Sequence, residues 1–371
     1  MRVPFSYLER QFADIDAYFE ELRPLVQTGN FTLGKPVEQF EERFAALCKM
    51  PYAVGVGSGT DALMISLMML GIQPDDEVIT TANNFIAPAG AIACCRARPV
   101  FVDSDEAYMM DPTKLEAVIT PRTRAIIAVH HNGNVCDMPA IMAVAEKHKL
   151  LVIEDACHAI GASLNGTPVG SWGSTACFSL HPLKNLNVWG DGGVIVTRSK
   201  ELYEKMHLYR NHGLKTRDEV VLFGRNSRLH TVQAAIGNKL IREIDFITSR
   251  RIEIAGQYDV ALSKLAPEIS VPPRNPAVKH VFFQYIIRVR SRDALLKHLH
   301  DAGVEAKIHY PIPIHLQEGA KYLGYKPGDL PVTEEDSRHI LSLPLHQHLT
   351  PEEVGYTIEQ VRNFCRKQPA L

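Results

Sequence analysis

An α/β fold is predicted: a large domain built around a mostly parallel central sheet, followed by a smaller C-terminal α+β domain. Three features of the sequence carry this reading. From residue 52 to about 197, short β-branched apolar runs alternate with helix-like stretches, as in a sheet whose strands are joined by crossover helices. The runs are continuously apolar, which fits strands covered on both faces. A proline-rich stretch, Glu268-Ile-Ser-Val-Pro-Pro-Arg-Asn-Pro-Ala-Val278, then ends a long helical pattern and precedes shorter mixed elements.

In chain order, strands are read at Tyr52–Val56, Glu77–Thr80, Pro99–Val102, Ala125–Val129, Leu150–Ile153, Ala176–Leu180 and Val194–Thr197. Each is β-rich and bounded by Gly, Pro, Asp or Asn. Between many of them, Asp61–Leu70, Ala87–Arg96, Pro112–Ile119 and Met138–Lys149 read as helices. A long helical stretch runs from Arg228 to about Leu265, carrying Ala234, Ala235, Ile241 and Ile252. Past the prolines, Phe282–Val289 reads as a strand and Arg292–Ala302 as a helix. Glu352–Cys365 closes the chain as a helix with Val354, Ile358 and Val361 on one face. The domain division falls inside the long helical stretch, giving residues 1–245 to the large domain and 246–371 to the small one.

Composition excludes several classes of function. A length of 371 residues suits two domains of roughly 100–200 residues each. With 40 basic and 42 acidic side chains the formal charge is −2, so no global attraction to nucleic acid or an anionic membrane is expected. The longest apolar run, Ala62 to Leu70, is about half the ~18–20 residues that cross a bilayer. Seven cysteines without a C-x-x-C pair, and a start (MRVPFSYLERQF) without an apolar leader core, point to a reduced, cytoplasmic protein. The 16 histidines suggest a metal, but none matches H-E-x-x-H or another zinc spacing, so no metal is expected.

Three motifs carry chemistry. Gly55-Val-Gly-Ser-Gly-Thr-Asp-Ala-Leu63 follows a strand and opens a helix, whose free amides and positive dipole suit a phosphate; Ser58 and Thr60 add hydroxyls. Its spacing is not the dinucleotide fingerprint, and no P-loop lysine follows. Leu151-Val-Ile-Glu-Asp155-Ala-Cys-His158 puts an acid at the C-terminal end of an apolar strand, where α/β sheets bind ligands and where it can pair with a protonated ring nitrogen. Phe178-Ser-Leu-His-Pro-Leu-Lys184 then places a lysine between an apolar strand and the Gly-Asp191-Gly-Gly turn. A desolvated lysine with a lowered pKa can form a Schiff base. Phosphate cradle, acid and lysine together are what pyridoxal 5′-phosphate (PLP) requires. Singly, each has an ordinary reading: a capped turn, a loop acid, a surface lysine. Together, those readings become improbable.

These blocks resemble the DegT/DnrJ/EryC1/StrS group of sugar aminotransferases, which have the aspartate aminotransferase fold (fold type I). The resemblance covers nearly the whole chain, from Val3-Pro-Phe and Phe31-Thr-Leu-Gly34 through EDACHAIGA, SLHPLKNLNVWGDGG and GRNSRLHTVQAAIG to HYPIPIHLQ and LSLPLHQHLT. It implies that Lys184 holds the cofactor aldehyde and acts as general acid–base, and that Asp155 partners the pyridine nitrogen. It further implies that Phe85 stacks on the ring, that Gly59, Thr60 and Ser179, with Ser58, bind the phosphate, and that His158 lies near the phenolic oxygen. Asn226 matches a residue that reaches the phosphate of the neighbouring subunit, which implies a homodimer with shared active sites. Phe85 as core and Asn226 as a helix cap remain the ordinary alternatives. Arg228 is a candidate for the donor carboxylate through its two-pronged geometry, and His309 and Tyr310 are further substrate candidates.

The implied reaction moves an amino group from an amino acid, L-glutamate foremost, to a nucleotide-linked keto-sugar. The Asp191 turn and Asn226-Ser227-Arg228 resemble members acting on 3-keto-deoxyhexoses somewhat more than those acting at C4. Two rivals share the fold: a sugar dehydratase, whose hallmark is His in place of the lysine, and a non-catalytic regulator. The chain departs from the family pattern at His130-His-Asn132-Gly133, at Asn83 and at His230, which weakens transfer of any particular sugar.

Overall fold

The computed structural model describes residues 1–367. At its centre is a seven-stranded sheet in the order Tyr52–Val56, Gly193–Thr197, Thr175–Ser179, Leu151–Asp155, Thr123–Val129, Glu77–Thr81, Arg98–Val102. The last five are parallel to one another, whereas Gly193–Thr197 runs against both its neighbours. Alternate strand residues serve opposite cores: Ile126 and Ala128 face one, Ala125, Ile127 and Val129 the other. Both faces are covered. The helices Gly59–Met69 and Ala87–Cys94 bury Leu63, Ile65, Ala91 and Ile92 on one side. Lys35–Leu47 and Met138–His148 bury Phe40, Phe44, Met138 and Ile141 on the other.

Three elements differ from the sequence reading. The stretch from Arg228 is two helices, Thr231–Leu240 and Ile244–Leu262, joined by the 3-10 turn Ile241–Glu243, with Arg228 ahead of both. Ile241 and Ile244 are both buried, so the apolar rhythm runs through the turn and conceals it. Pro112–Ile119 is a 3-10 turn, Pro112–Lys114, leading into the single helical turn Leu115–Val118. The strand expected from Phe282 starts at Tyr285; Phe282 has left-handed backbone (φ 47°), which turns Phe283 and Gln284 out of the ladder.

A second, antiparallel sheet is formed by Ile269–Ser270, Tyr285–Val289 and Ile340–Leu343. With the helices Arg292–Asp301 and Pro351–Lys367 it builds a separate core around Tyr258, Ile287, Leu299, Leu341 and Val361. The helix Ile244–Leu262 serves both cores, giving Ile244 to the first and Ile254, Tyr258 and Leu262 to the second. Val3 also lies in the second core, through a parallel bridge to Val304. A division at 245/246 thus cuts near the start of a shared helix, and the first residues of the chain return to the second core.

One buried acid braces the strand end on which the site is built. The Glu154 carboxylate accepts the N–H groups of Gly170 (2.8 Å), Trp172 (2.8 Å) and Gly173 (2.9 Å), and His130 Nε2 lies 3.1 Å away. Glu154→Leu would orphan these donors and is expected to destabilise the fold by about 3–5 kcal/mol in urea unfolding.

Candidate active site

The C-terminal ends of the parallel strands open into a cavity of about 570 Å³. Ser58 caps the helix Gly59–Met69, its Oγ accepting the Asp61 N–H at 3.0 Å, so the helix start faces the cavity. Glycine is needed at position 59: a Cβ there would lie 2.9 Å from both Cys157 Sγ and Ser179 Cβ. Asp155 ends its strand fully inside, one oxygen accepting the Cys157 N–H at 3.0 Å. Ser179 ends the neighbouring strand and accepts the His181 N–H at 3.3 Å.

Lys184 is held by its backbone. Its N–H donates to the His181 carbonyl (2.8 Å), and its own carbonyl accepts from Tyr7 Oη (2.6 Å) and Asn187 Nδ2 (3.1 Å). The ammonium lies 4.4 Å from the centre of the Phe283 ring. His158 stacks on the same ring at 4.3 Å and accepts the Asn132 N–H at Nδ1 (3.4 Å), so the neutral imidazole carries its proton on Nε2. Asn132 stands at φ 57°, a left-handed position that asparagine tolerates.

Burial sets the protonation states. It pushes the Lys184 amine down to about 8 against the opposing pull of Cys157 and Asp155. It pushes the Asp155 carboxyl up, while the Cys157 contact and the Lys184 charge act in the other direction. His309 is driven down to about 4 by burial and then by Lys307 and Lys184, and His131 to about 3 by burial, His309 and Lys184. His158 falls well below the usual histidine range for the same reasons. All three rings are neutral at physiological pH. The Cys157 thiol is pushed far up by burial and then by Asp155, so it is not a nucleophile here.

Of the residues singled out in the sequence, Ser58, Gly59, Thr60, Phe85, Asp155, His158, Ser179, Lys184, His309 and Tyr310 all line this one cavity. Asn226 and Arg228 do not. Asn226 is exposed and bridges Asn211, and Arg228 Nη1 donates to Asn211 Oδ1 at 2.8 Å. His131 and Asn132 line a separate, water-sized void behind the cavity with Tyr108, Arg274 and Gln284, and Asn83 is buried. Sequence reasoning missed Tyr7, Arg251, Phe283 and Lys307, which come from the chain start and the second sheet's surroundings. The aromatic cluster Phe5/Tyr7 was the one local signal available. Among the described residues no three His, Cys, Asp or Glu side chains gather as a metal site, and no helix is long and apolar enough to cross a membrane.

The residues present fit PLP. The Gly59 approach leaves room for an anion against the helix start, and Asp155 is a buried acid able to meet a ring cation. Phe85 lines the cavity yet stays 52% exposed, a free aromatic face beside Tyr310 (6.2 Å between ring centres).

Comparison with known proteins agrees. The DegT/DnrJ/EryC1/StrS aminotransferase family matches residues 13–362. A pleiotropic regulatory protein of Geobacillus stearothermophilus is 40% identical over 95% of this chain and 98% of its own length. The UDP-N-acetyl-3-dehydro-alpha-D-glucosamine 3-aminotransferase of Acidithiobacillus ferrooxidans is 40% identical over 94% of this chain and 96% of its own. The crystal structure of Streptomyces venezuelae DesV in complex with a ketimine intermediate superposes with a TM-score of 0.96 at 37% identity, covering 99% of both chains. Bacillus subtilis NtdA, solved with bound PMP, gives 0.93 at 32% identity over 99% of this chain and 86% of its own. With a cavity that fits PLP and a match over nearly its whole length, the chain belongs to the DegT/DnrJ/EryC1/StrS aminotransferase family, whose cofactor is PLP.

Proposed function

We propose that this enzyme is a ping-pong aminotransferase that takes an amino group from L-glutamate and passes it to a nucleotide-linked 3-keto-sugar. The observation that carries the reading is the convergence of Lys184, Asp155 and the anion-binding helix start on one cavity. When bound, PLP supplies an aldehyde for a lysine and an electron-withdrawing ring that stabilises negative charge at the donor's α-carbon. Lys184 Nζ would be the nucleophile toward that aldehyde; its amine, lowered by burial, would take the proton from the donor's α-carbon and deliver it to the carbon that bore the aldehyde, and the acceptor half-reaction would run the transfer in reverse. With the cofactor bound, Asp155 would hold a proton on the ring nitrogen, His158 would lie near the phenolic oxygen, Ser58, Gly59, Thr60 and Ser179 would bind the phosphate, and Phe85 would give the ring a stacking face. His309 and Tyr310 close the substrate side against water.

A 3-keto acceptor is in keeping with the named activity of the Acidithiobacillus relative. The 6-deoxy character rests on the resemblance at Asp191 and Asn226-Ser227-Arg228 alone. Dehydratase and regulator readings are disfavoured: Lys184 and Asp155 are both present in the cavity, and the Acidithiobacillus aminotransferase matches over 94% of this chain and 96% of its own length. A homodimer, with Asn226 and Arg228 delivered to the neighbouring site, accounts for the exposed Asn226 and half-buried Arg228 lying outside the chain's own cavity. A cytoplasmic location accords with seven unpaired cysteines.

The test is spectroscopic. Purified protein should absorb at about 400–430 nm, borohydride should fix the cofactor on Lys184, and L-glutamate should bleach the band to the PMP form. No band and no trapped adduct would sink the catalytic reading. A band that glutamate leaves untouched, with sugar dehydration instead, would favour the lyase.

A further inference from the structure

We propose that Lys307 is the receptor for the anionic group that each substrate carries remote from its reacting carbon: the side-chain carboxylate of a dicarboxylic amino donor and the diphosphate of a nucleotide sugar. The inference rests on the aminotransferase reading above and names the charge recognition that reading leaves unassigned.

The backbone fixes where Lys307 points. Its N–H donates to the Ser342 carbonyl at 3.0 Å, and the Ser342 N–H donates back at 2.7 Å, which docks the segment as an extended bridge on strand Ile340–Leu343. Ser342 Oγ also meets His309 Nδ1 at 3.0 Å. Residues two apart in extended backbone share a face. Lys307 and His309 accordingly both line the cavity, while Ile308 between them packs against both cores. The Lys307 ammonium lies 4.8 Å from the centre of the Phe5 ring, which in turn lies 5.7 Å from His309, so the side chain runs along the cavity wall.

Lys307 is also the exposed cation of the cavity, where Lys184 is half-buried and Arg251 buried. Arg251 is 1% exposed; its Nε donates to Gln347 Oε1 and its Nη1 to the carbonyls of Phe282 and Leu345, which leaves only its buried Nη2 without a partner among the described residues. Lys184 belongs to the chemistry. Lys307 is exposed and forms no ion pair among the described residues. The acid two residues before it, Glu305, is already engaged by Arg2 (3.0 Å) and by the Phe5 N–H (3.0 Å). Asp155 and Asp191 are the cavity's own carboxylates, against the three cations Lys184, Arg251 and Lys307. That excess of positive charge suits anions.

Ping-pong chemistry puts both substrates in the same cavity in turn, and both are anionic at a distance of several bonds from the reacting carbon. A flexible ammonium is a point charge that can meet a carboxylate in one half-reaction and a diphosphate in the other, where a rigid fork would favour one shape. The flanking rings are neutral and add hydrogen bonds without fixed charge.

The test compares holoenzyme with Lys307→Met and Lys307→Arg. The donor arm follows bleaching of the cofactor band by L-glutamate and by L-alanine, which lacks the second carboxylate. The nucleotide arm measures equilibrium binding of UDP and dTDP by calorimetry. Lys307→Met is expected to weaken the glutamate half-reaction about tenfold or more, at least several-fold beyond its effect on alanine, to weaken nucleotide binding similarly, and Lys307→Arg to recover part of both. A change in one arm alone assigns Lys307 to that anion and overturns the shared role. Glutamate and alanine affected alike, with nucleotide binding unchanged, would mean a packing role on Phe5 and overturn the proposal outright. If wild-type protein shows no half-reaction with any amino acid, it is the aminotransferase reading that fails, and the nucleotide arm alone then judges Lys307.

Discussion

Lys184→Ala and Lys184→Arg are each expected to cut turnover by about 10⁴-fold or more. Arginine keeps the charge but is neither a usable nucleophile nor a base near neutral pH, so charge alone should rescue nothing. Borohydride should no longer fix cofactor on the peptide containing residue 184, a readout that simple misfolding would not imitate if the far-ultraviolet circular dichroism is unchanged. The same residue makes a stability prediction of opposite sign. Its amine falls from the ordinary 10.5 to about 8 on folding, so below pH 8 the folded, cofactor-free protein carries a charged lysine at a cost. Cofactor-free Lys184→Met should therefore be more stable than wild type near pH 7, by about 1–2 kcal/mol after allowance for the lysine's partial exposure. As pH rises from about 8 to 10.5 the unfolded lysine still holds its proton and the folded one does not, so the gap should close. Urea unfolding at the two ends of that range measures it. An unchanged gap would show that the lysine is not desolvated in the fold.

Asp155→Asn should lower turnover by about 10²–10³-fold or more while leaving the cavity's shape nearly intact. Asparagine keeps the volume and an oxygen for the Cys157 N–H, but it cannot be anionic. What is lost is the ability to hold a proton on a ring nitrogen, so the deficit should fall on the rate of the half-reaction more than on the concentration of glutamate needed for it. Asp155 is buried, and burial pushes its carboxyl up against the pull of the Cys157 contact and the Lys184 charge. The cofactor-free Asn variant is therefore expected to be at least as stable as wild type in urea. Equal losses in stability and rate would point to a structural role instead.

The reactive core was legible because its determinants are local. Gly55 to Thr60 follows a strand and starts a helix, Asp155 ends a strand, and Lys184 sits in a turn closed by the His181 carbonyl and Asn187. Each of these positions is specified by neighbours in sequence, so motif and geometry coincide. Arg228 does not line the cavity of its own chain: a guanidinium's chemistry is visible in sequence and its destination is not; here it goes to Asn211. Phe283 reads as one more residue in an apolar strand, yet the left-handed backbone at Phe282 turns it toward Lys184 and His158. The His131-Asn132 pair, a departure from the family pattern, lines a void behind the cavity and reaches the site through the Asn132 N–H on His158.

The sequence by itself determined the layered sheet, the cofactor class and the residues proposed for covalent and proton chemistry, since apolar runs, a glycine-opened helix and a strand-end acid are short-range patterns that sterics and hydrogen bonding resolve locally. The tertiary structure decided what surrounds that chemistry. It brings Tyr7, Arg251, Phe283 and Lys307 from the chain start, a helix shared by both cores and the second sheet to one cavity. Burial there sets Lys184 near 8, and burial with the charges of Lys307 and Lys184 holds His309 neutral, as burial with His309 and Lys184 holds His131. Desolvation and long-range charge depend on how segments far apart in sequence pack together, and no spacing along the chain encodes them.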